Sequence, residues 1–343
     1  MNVFVLFLAF AVAWVVTRLS LPVLARYTGK YLLDAPGGLK HHAAAVPVLG
    51  GCGIFIGMTA ALVCIRLTTN FPSGTLHSLR GIIWGGLIIF TMGLLDDLRK
   101  PQGLPVWIKL LLQGLATACL IYYGILVRFI EIPWISFPIT FLWVVGLTNA
   151  FNLLDILDGL CTTQAMVCTL GLAVIALPSE FIYVNFAALA LLGAGAAFLP
   201  FNFSVSHKLF LGDSGSNLLG FLIAALCLGT GYSQTSSWGF LAPLLIVAVP
   251  LADVAFVSVA RVLQGKNPLK GSDDHAALRL KKTGWSSGRV VGVFATVAVG
   301  CNLLGLAVTR CTPLEVSAIF LGVALGAVWT GYILLKRGGC HAR

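Results

Sequence analysis

Long apolar runs alternate with short polar segments along the whole chain. Eleven such runs stand out, at about 3–25, 46–67, 81–95, 105–124, 137–150, 160–178, 184–200, 215–231, 239–260, 290–309 and 314–335. A helix needs about 20 apolar residues to cross the hydrocarbon of a bilayer. Several runs are shorter than that, so their ends are expected to extend into the neighbouring loops. The pattern predicts an all-α, polytopic transmembrane bundle of about eleven spans, with ten as the alternative count. No repeat, low-complexity tract or soluble domain interrupts it, so residues 1–343 read as a single integral-membrane domain.

The polar segments sort by side. Alternate connections hold Arg26, Lys30, Lys40, Arg99, Lys100, Lys208, Arg261, Lys266, Lys270, Arg279, Lys281, Lys282, Arg289 and the basic tail, whereas the opposite set holds Arg66, Arg80, Arg128 and Arg310. Lys and Arg accumulate on the cytoplasmic side of membrane proteins. The richer set is therefore assigned inside, with the N-terminus outside and the C-terminus inside. All nine aspartates fall on or near that inner side, and Glu131, Glu180 and Glu315 fall on the other. Carboxylates contribute little to topology, so this segregation points to a metal or polyanion site on the cytoplasmic face.

Composition agrees with a membrane protein: 58% of residues are hydrophobic and 10% charged, against about 25% charged in soluble domains. The net charge of +10 would suggest nucleic acid in a soluble protein; here the loop bias explains it, and no nucleic-acid partner is expected. The first span, Val3–Leu24, has its positive charges after the apolar run, so it reads as a retained span and not as a cleaved leader. The nine cysteines are scattered without CxxC or Cys/His spacing, and read as small buried hydrophobes. Arg18, near the inner end of the first span, reads as a snorkelling side chain.

Candidate chemistry lies in a few segments. Asp96-Asp97 closes the third run. Neighbouring helical side chains diverge by about 100°, so both reach one site only at a helix end or kink, where mutual repulsion favours a cation or proton between them. NAFNLLDILDGL places Asn149, Asn152, Asp155 and Asp158 three residues apart. A continuous helix would spread these by about 60° per step, so the helix is expected to end midway, with Gly159 in a turn. Their oxygens suit a hard cation such as Mg²⁺. FLGDSGS is a Gly/Ser turn around Asp213 that would admit backbone N–H groups to a phosphate. Asp253, near the end of a span, is either functional or paired with Arg261. His275 and the loop histidines His41 and His42 lie on the same face as the aspartates, and a loop histidine is more often solvent-exposed than catalytic.

In order, DAPGGLKHHAAAVPVLGG, Asp96-Asp97, NAFNLLDILDGL and FLGDSGSNLLGF resemble the polyprenyl-phosphate N-acetylhexosamine-1-phosphate transferases, the superfamily containing MraY and WecA. The resemblance covers about Asp34 to Leu280. It implies transfer of a sugar 1-phosphate from a UDP-sugar to a polyprenyl phosphate, with release of UMP, in a bacterial inner membrane. By the same resemblance, Asp96 and Asp97 handle the lipid phosphate, and His275 sits near the phosphates or sugar. Asp213 with Asn152 holds Mg²⁺, with Mn²⁺ as the alternative ion, and Asp158 and Phe210 bind uracil. Lys40, His42, Asn149, Asp155 and Arg279 complete the substrate contacts. A homodimer is left open. Lys100 is MraY-like, but a triple-His segment is absent; UDP-N-acetylglucosamine is therefore the expected donor, with undecaprenyl phosphate as acceptor.

Two other classes share part of the same residues. Asp155-x-x-Asp158-Gly159 matches the start of a CDP-alcohol phosphotransferase signature, but Thr162 and Thr163 stand at its Ala-Arg positions and its downstream spacing is missing. An ion-coupled transporter would place its acidic groups near the midplane, often with internal repeats; here they crowd one surface and no repeat is visible.

Overall fold

The computed structural model describes residues 3–34, 45–69, 74–177, 182–232, 236–267 and 274–338. Lys40 and His42 therefore lie outside the described residues. The chain divides into two compact units, one up to Thr230 and one from Gly231 onward.

The first unit holds α1 (Val3–Tyr27), β1 (Leu33–Asp34), β2 (Val46–Pro47), α2 (Gly50–Thr68), α3 (Thr75–Leu98), α4 (Val106–Tyr122), α5 (Pro133–Leu154), α6 (Leu160–Ala176), α7 (Ile182–Phe203) and α8 (Gly212–Gly229). Backbone groups in hydrocarbon must be satisfied within their own segment, which makes helix the default for apolar runs of this length. Buried threonines follow the same rule: Thr140, Thr148 and Thr169 each donate to the carbonyl four residues back. The centre of the unit is α8, in which only Asp213 and Leu228 escape full burial. It packs against α2, α3, α5 and α6, while α1 lies on α2 and α7.

The second unit holds a short 3₁₀ turn (Gly239–Leu241), α9 (Ala242–Ile246), α10 (Ala248–Leu263), α11 (Ala276–Lys282), α12 (Ser287–Val308) and α13 (Pro313–Gly338). The ninth apolar run is thus broken at Val247, and its two halves meet at 63°.

All eleven predicted runs are helical, and several extend as expected: 81–95 becomes Thr75–Leu98 and 137–150 becomes Pro133–Leu154. Among the described residues, eight helices are long and apolar enough to cross a membrane, or nine with the bent pair counted as one span. Val106–Tyr122 and Leu160–Ala176 remain shorter. The small departure from all-α is the β1–β2 pair, with Leu33 opposite Pro47 and Asp34 opposite Val46, and a parallel bridge from Val48 to Phe210. Arg18 lies with its guanidinium 4.5 Å over the ring of Phe201.

Candidate active site

Three helix ends build the site: α3 closes on Asp96 and Asp97, α5 ends just before Asp155, and α8 opens on Asp213. The segment leading into α8 is held against the start of α2, where the Gly50 N–H donates to Phe210 O at 2.9 Å and the Gly51 N–H to Leu211 O at 3.0 Å.

Asp97 is buried and accepts two backbone donors of α8, Asp213 N at 3.0 Å and Ser214 N at 2.9 Å. The first N–H groups of a helix have no partner within it, and a carboxylate there also meets the positive end of the helix dipole. Gly212 makes the approach feasible. Its φ is 76°, and a Cβ there would stand 2.7 Å from Asp97 Oδ2.

Lys100 spans two carboxylates, at 2.8 Å from Asp97 Oδ1 and 3.2 Å from Asp213 Oδ2. Burial pulls its pKa down, but Asp213 and Asp97 outweigh burial and hold the ammonium above the usual lysine value. The other oxygen of Asp213 accepts from Asn152 Nδ2 at 2.8 Å, and the same amide reaches Ser216 Oγ at 2.9 Å. Asp96 turns away from its neighbour, accepting from Leu104 N and from Lys109 Nζ, each at 2.5 Å. Adjacent in sequence, the two carboxylates meet different ammonium groups. Each has its own lysine.

The α5–α6 turn carries Asp155 and Asp158. Gly159 has φ 75°, the turn expected to end the run of polar residues. Its N–H donates to Asn202 Oδ1 at 2.6 Å, and Asn202 Nδ2 donates to Leu209 O at 2.9 Å. Asp158 Oδ2 pairs with Lys208 Nζ at 2.6 Å, and Lys208 lies 5.5 Å from the centroid of the Phe210 ring. Asp155 is half-buried; burial, then the charge of Asp213, pushes its carboxyl up to about 8.

The family described as glycosyl transferase family 4 matches residues 79–231, the part of the chain that carries every group just described except Val48 to Gly51. A probable undecaprenyl-phosphate N-acetylglucosaminyl 1-phosphate transferase of Bacillus subtilis is 31% identical over 289 residues, covering 81% of this chain and 78% of that one. The chain belongs to the polyprenyl-phosphate N-acetylhexosamine-1-phosphate transferases. Two further relatives span the family. The decaprenyl-phosphate N-acetylglucosaminephosphotransferase of Mycobacterium tuberculosis is 27% identical, covering 87% of this chain and 81% of its own length. The phospho-N-acetylmuramoyl-pentapeptide-transferase of Limosilactobacillus fermentum is 30% identical, covering 90% and 98%. The transporter alternative finds no support among these relatives.

Among the described residues, no group of three or more His, Cys, Asp or Glu side chains stands ready to hold a metal. Mg²⁺ needs no such cage, since it is usually held by one or two carboxylates, with waters and substrate phosphates filling its shell. Asp213 supplies one such carboxylate, and Asn152, whose Nδ2 faces it at 2.8 Å, supplies an amide oxygen once that amide turns over. The charge balance fits as well. With Asp155 holding its proton near neutral pH, the formal charges of Asp96, Asp97, Asp158 and Asp213 exceed those of Lys100, Lys109 and Lys208 by one.

Of the transferase residues expected from sequence, Asp96, Asp97, Asn152, Asp155, Asp158, Phe210 and Asp213 gather around these helix ends. Asn149 lies on α5 too, but forms a reciprocal amide pair with Gln113, Nδ2 to Oε1 at 3.0 Å and Nε2 to Oδ1 at 3.4 Å. His275 and Arg279 belong to the second unit. His275 is buried rather than exposed, with Nδ1 2.7 Å from Asp253 Oδ2, while Asp253 Oδ1 accepts from Ala276 N at 3.0 Å. The alternative pairing of Asp253 with Arg261 is not formed; Arg261 Nε donates to Asn267 O at 2.7 Å. Arg279 pairs with Asp274 at 2.8 Å. Sequence reasoning missed Lys109, Lys208, Gln113 and Asn202 as site residues. A polar residue inside an apolar run was the available signal for Gln113 and Asn202.

Proposed function

We propose that the chain transfers N-acetylglucosamine 1-phosphate from UDP-N-acetylglucosamine to undecaprenyl phosphate at the cytoplasmic face of a bacterial inner membrane. The observation that carries this is the setting of Asp213: one oxygen on Asn152, the other on Lys100, and its own N–H on Asp97. A nucleoside diphosphate requires positive charge and hard-cation ligands in one place, and this corner offers both. The donor is chosen from the expectation that a triple-His segment marks the muramoyl-pentapeptide enzymes.

In the reaction, an oxygen of the lipid phosphate attacks the phosphorus that bears the sugar. The bond from that phosphorus to the bridging oxygen breaks, and UMP leaves with the oxygen. Asp96 takes the proton of the lipid phosphate when it is present. Lys109 pairs with that carboxylate, and Lys100 lies where the diphosphate approaches Asp213. Asp213 and Asn152 would hold Mg²⁺, which would neutralise charge on the leaving UMP. The spans number eleven in this proposal, with Asp96, Asp155 and Asp213 on the inner side.

The deciding experiment supplies purified protein with undecaprenyl phosphate, Mg²⁺ and a panel of UDP-sugars, and follows UMP. Lipid-dependent UMP release from UDP-N-acetylglucosamine is expected. Release only from a UDP-muramoyl-pentapeptide would replace the donor, and no release from any UDP-sugar would sink the assignment.

A further inference from the structure

Lys208 stands between Asp158 and Phe210, the two side chains that the resemblance implies bind uracil. Its ammonium is 2.6 Å from Asp158 Oδ2 and 5.5 Å from the centroid of the Phe210 ring. The contact with Asp158 joins segments fifty residues apart in sequence. Buried Asn202 already ties those segments together, from Gly159 N to Leu209 O. A half-exposed lysine–carboxylate pair adds little to stability, so holding the fold does not account for the position of Lys208.

Its chemistry does. A carboxylate only accepts hydrogen bonds and an ammonium only donates them, so Asp158 and Lys208 side by side form an acceptor next to a donor. The N3–C4 edge of uracil presents the complement, an N–H beside a carbonyl oxygen. The same edge of cytosine is reversed, with a lone pair beside an amino group. A base stacked on Phe210 and anchored by its ribose cannot slide to exchange the two contacts, so cytosine would face acceptor with acceptor and donor with donor. Sites built to pair a polar edge reject its mismatch strongly, because their own groups are left unpaired.

We infer that Lys208 is a specificity-determining residue which, with Asp158, reads the uracil edge of the donor nucleotide. This rests on the uridine-diphosphate donor proposed above. The ammonium now occupies the place near the ring where a stacked base would lie, and on binding it moves to the edge of the base while staying near Asp158.

The test uses the full-length protein and two free nucleotides, UMP and CMP, as inhibitors of UMP release from labelled donor. The unmodified protein is expected to favour UMP strongly over CMP. Lys208→Met should raise the UMP inhibition constant about tenfold, the worth of a charge-assisted hydrogen bond, and narrow the UMP-to-CMP ratio. The KM for the lipid should change by less than about twofold. Lys208→Arg, which keeps a cationic donor, should restore most of the preference. Where Lys208→Met does not accumulate, Lys208→Gln, which keeps a donor without the charge, takes its place. An unchanged ratio in a folded variant overturns the inference, as does an equal loss for both nucleotides with a lowered Tm, the mark of a merely structural tie. If the unmodified protein discriminates UMP from CMP but Lys208 variants do too, only Lys208 is dismissed. If it ignores UMP and releases none, the donor assignment falls and takes this inference with it.

Discussion

Asp97 and Asp213 are joined through the backbone: the carboxylate of Asp97 accepts the N–H of Asp213 at 3.0 Å and that of Ser214 at 2.9 Å. The conspicuous Asp-Asp pair thus divides its work. Asp97 is the fixed base on which α8 starts, and it sets where the Asp213 carboxylate points. Asp97→Ala should cost roughly 2 kcal/mol, since it strips a buried acceptor from two helix N–H groups and a partner from Lys100. Asp97→Asn keeps the shape but not the charge, and should fall between. Thermal unfolding in detergent checks this, and a Tm unchanged in Asp97→Ala would show that the cap does not hold α8.

Asp213 itself should behave differently. Its side chain is partly exposed at the mouth of the helix, and Asn152 and Lys100 would still surround an amide there. Asp213→Asn should therefore fold with near-normal Tm yet lose activity through weakened use of Mg²⁺, because the amide removes the charge that holds the ion. Near-normal turnover at low Mg²⁺ would show that Asp213 is not a ligand.

Asp155 provides a pH signature. Its folded carboxyl titrates at about 8, against about 3.9 for an unperturbed aspartate. Between those values the folded chain holds a proton that the unfolded chain has lost, so this contribution to stability is complete below about pH 4 and is lost as pH rises through 8. The slope is at most ~1.4 kcal/mol per pH unit. Metal-free protein should accordingly lose Tm from pH 5 to 8, and Mg²⁺ or Asp155→Asn should flatten that fall. Parallel curves for the variant and the unmodified protein would assign the slope elsewhere.

Membrane orientation can be tested at two exposed positions. In a cysteine-free background, Gln102→Cys should be labelled from the cytoplasmic side and Glu131→Cys from the outside. Labelling of both from one side would refute the alternating topology.

How legible the molecule was in its sequence depended on what each residue does alone. Asp96, Asp97, Asn152 and Asp213 could be found because a polar group in an apolar run is costly and so conspicuous. The break at Gly159 followed from the three-residue spacing. Lys208 gave no such signal, and Lys109, although inside the run 105–124, lies near its end where a lysine reads as snorkelling. Lysine near the end of an apolar run is already expected from the Lys/Arg bias of the connections, and only the folded chain shows that each pairs with a particular carboxylate. The two-residue strands at Leu33 and Val46 are too short to have a period; tertiary contacts fix them. The bend at Val247 lies within one apolar run, where hydropathy counts residues but carries no direction; the prolines on either side, Pro243 and Pro250, were the available signal for a break.

The last prediction concerns Asp96, whose two oxygens are held by Leu104 N and Lys109 Nζ. A carboxylate fixed in this way beside an ammonium is aimed, as a proton acceptor must be, but it has little freedom to accept a new bond. Two roles follow, and pH separates them. A phosphate monoester has its second pKa near 6, so near neutrality much of the lipid phosphate has already lost its proton. Base catalysis by Asp96 would then matter most at low pH, within the usual 10²–10⁴-fold range for acid–base help. Asp96→Asn should lose most activity near pH 6 and recover in part by pH 9. If Asp96 serves instead to position Lys109 against the lipid phosphate, the loss should be equally large across that range and should appear in the KM for the lipid. Lys109→Met should then reproduce it. The proton-acceptor role proposed here requires the first pattern, with Lys109→Met changing the lipid KM while Asp96→Asn changes kcat.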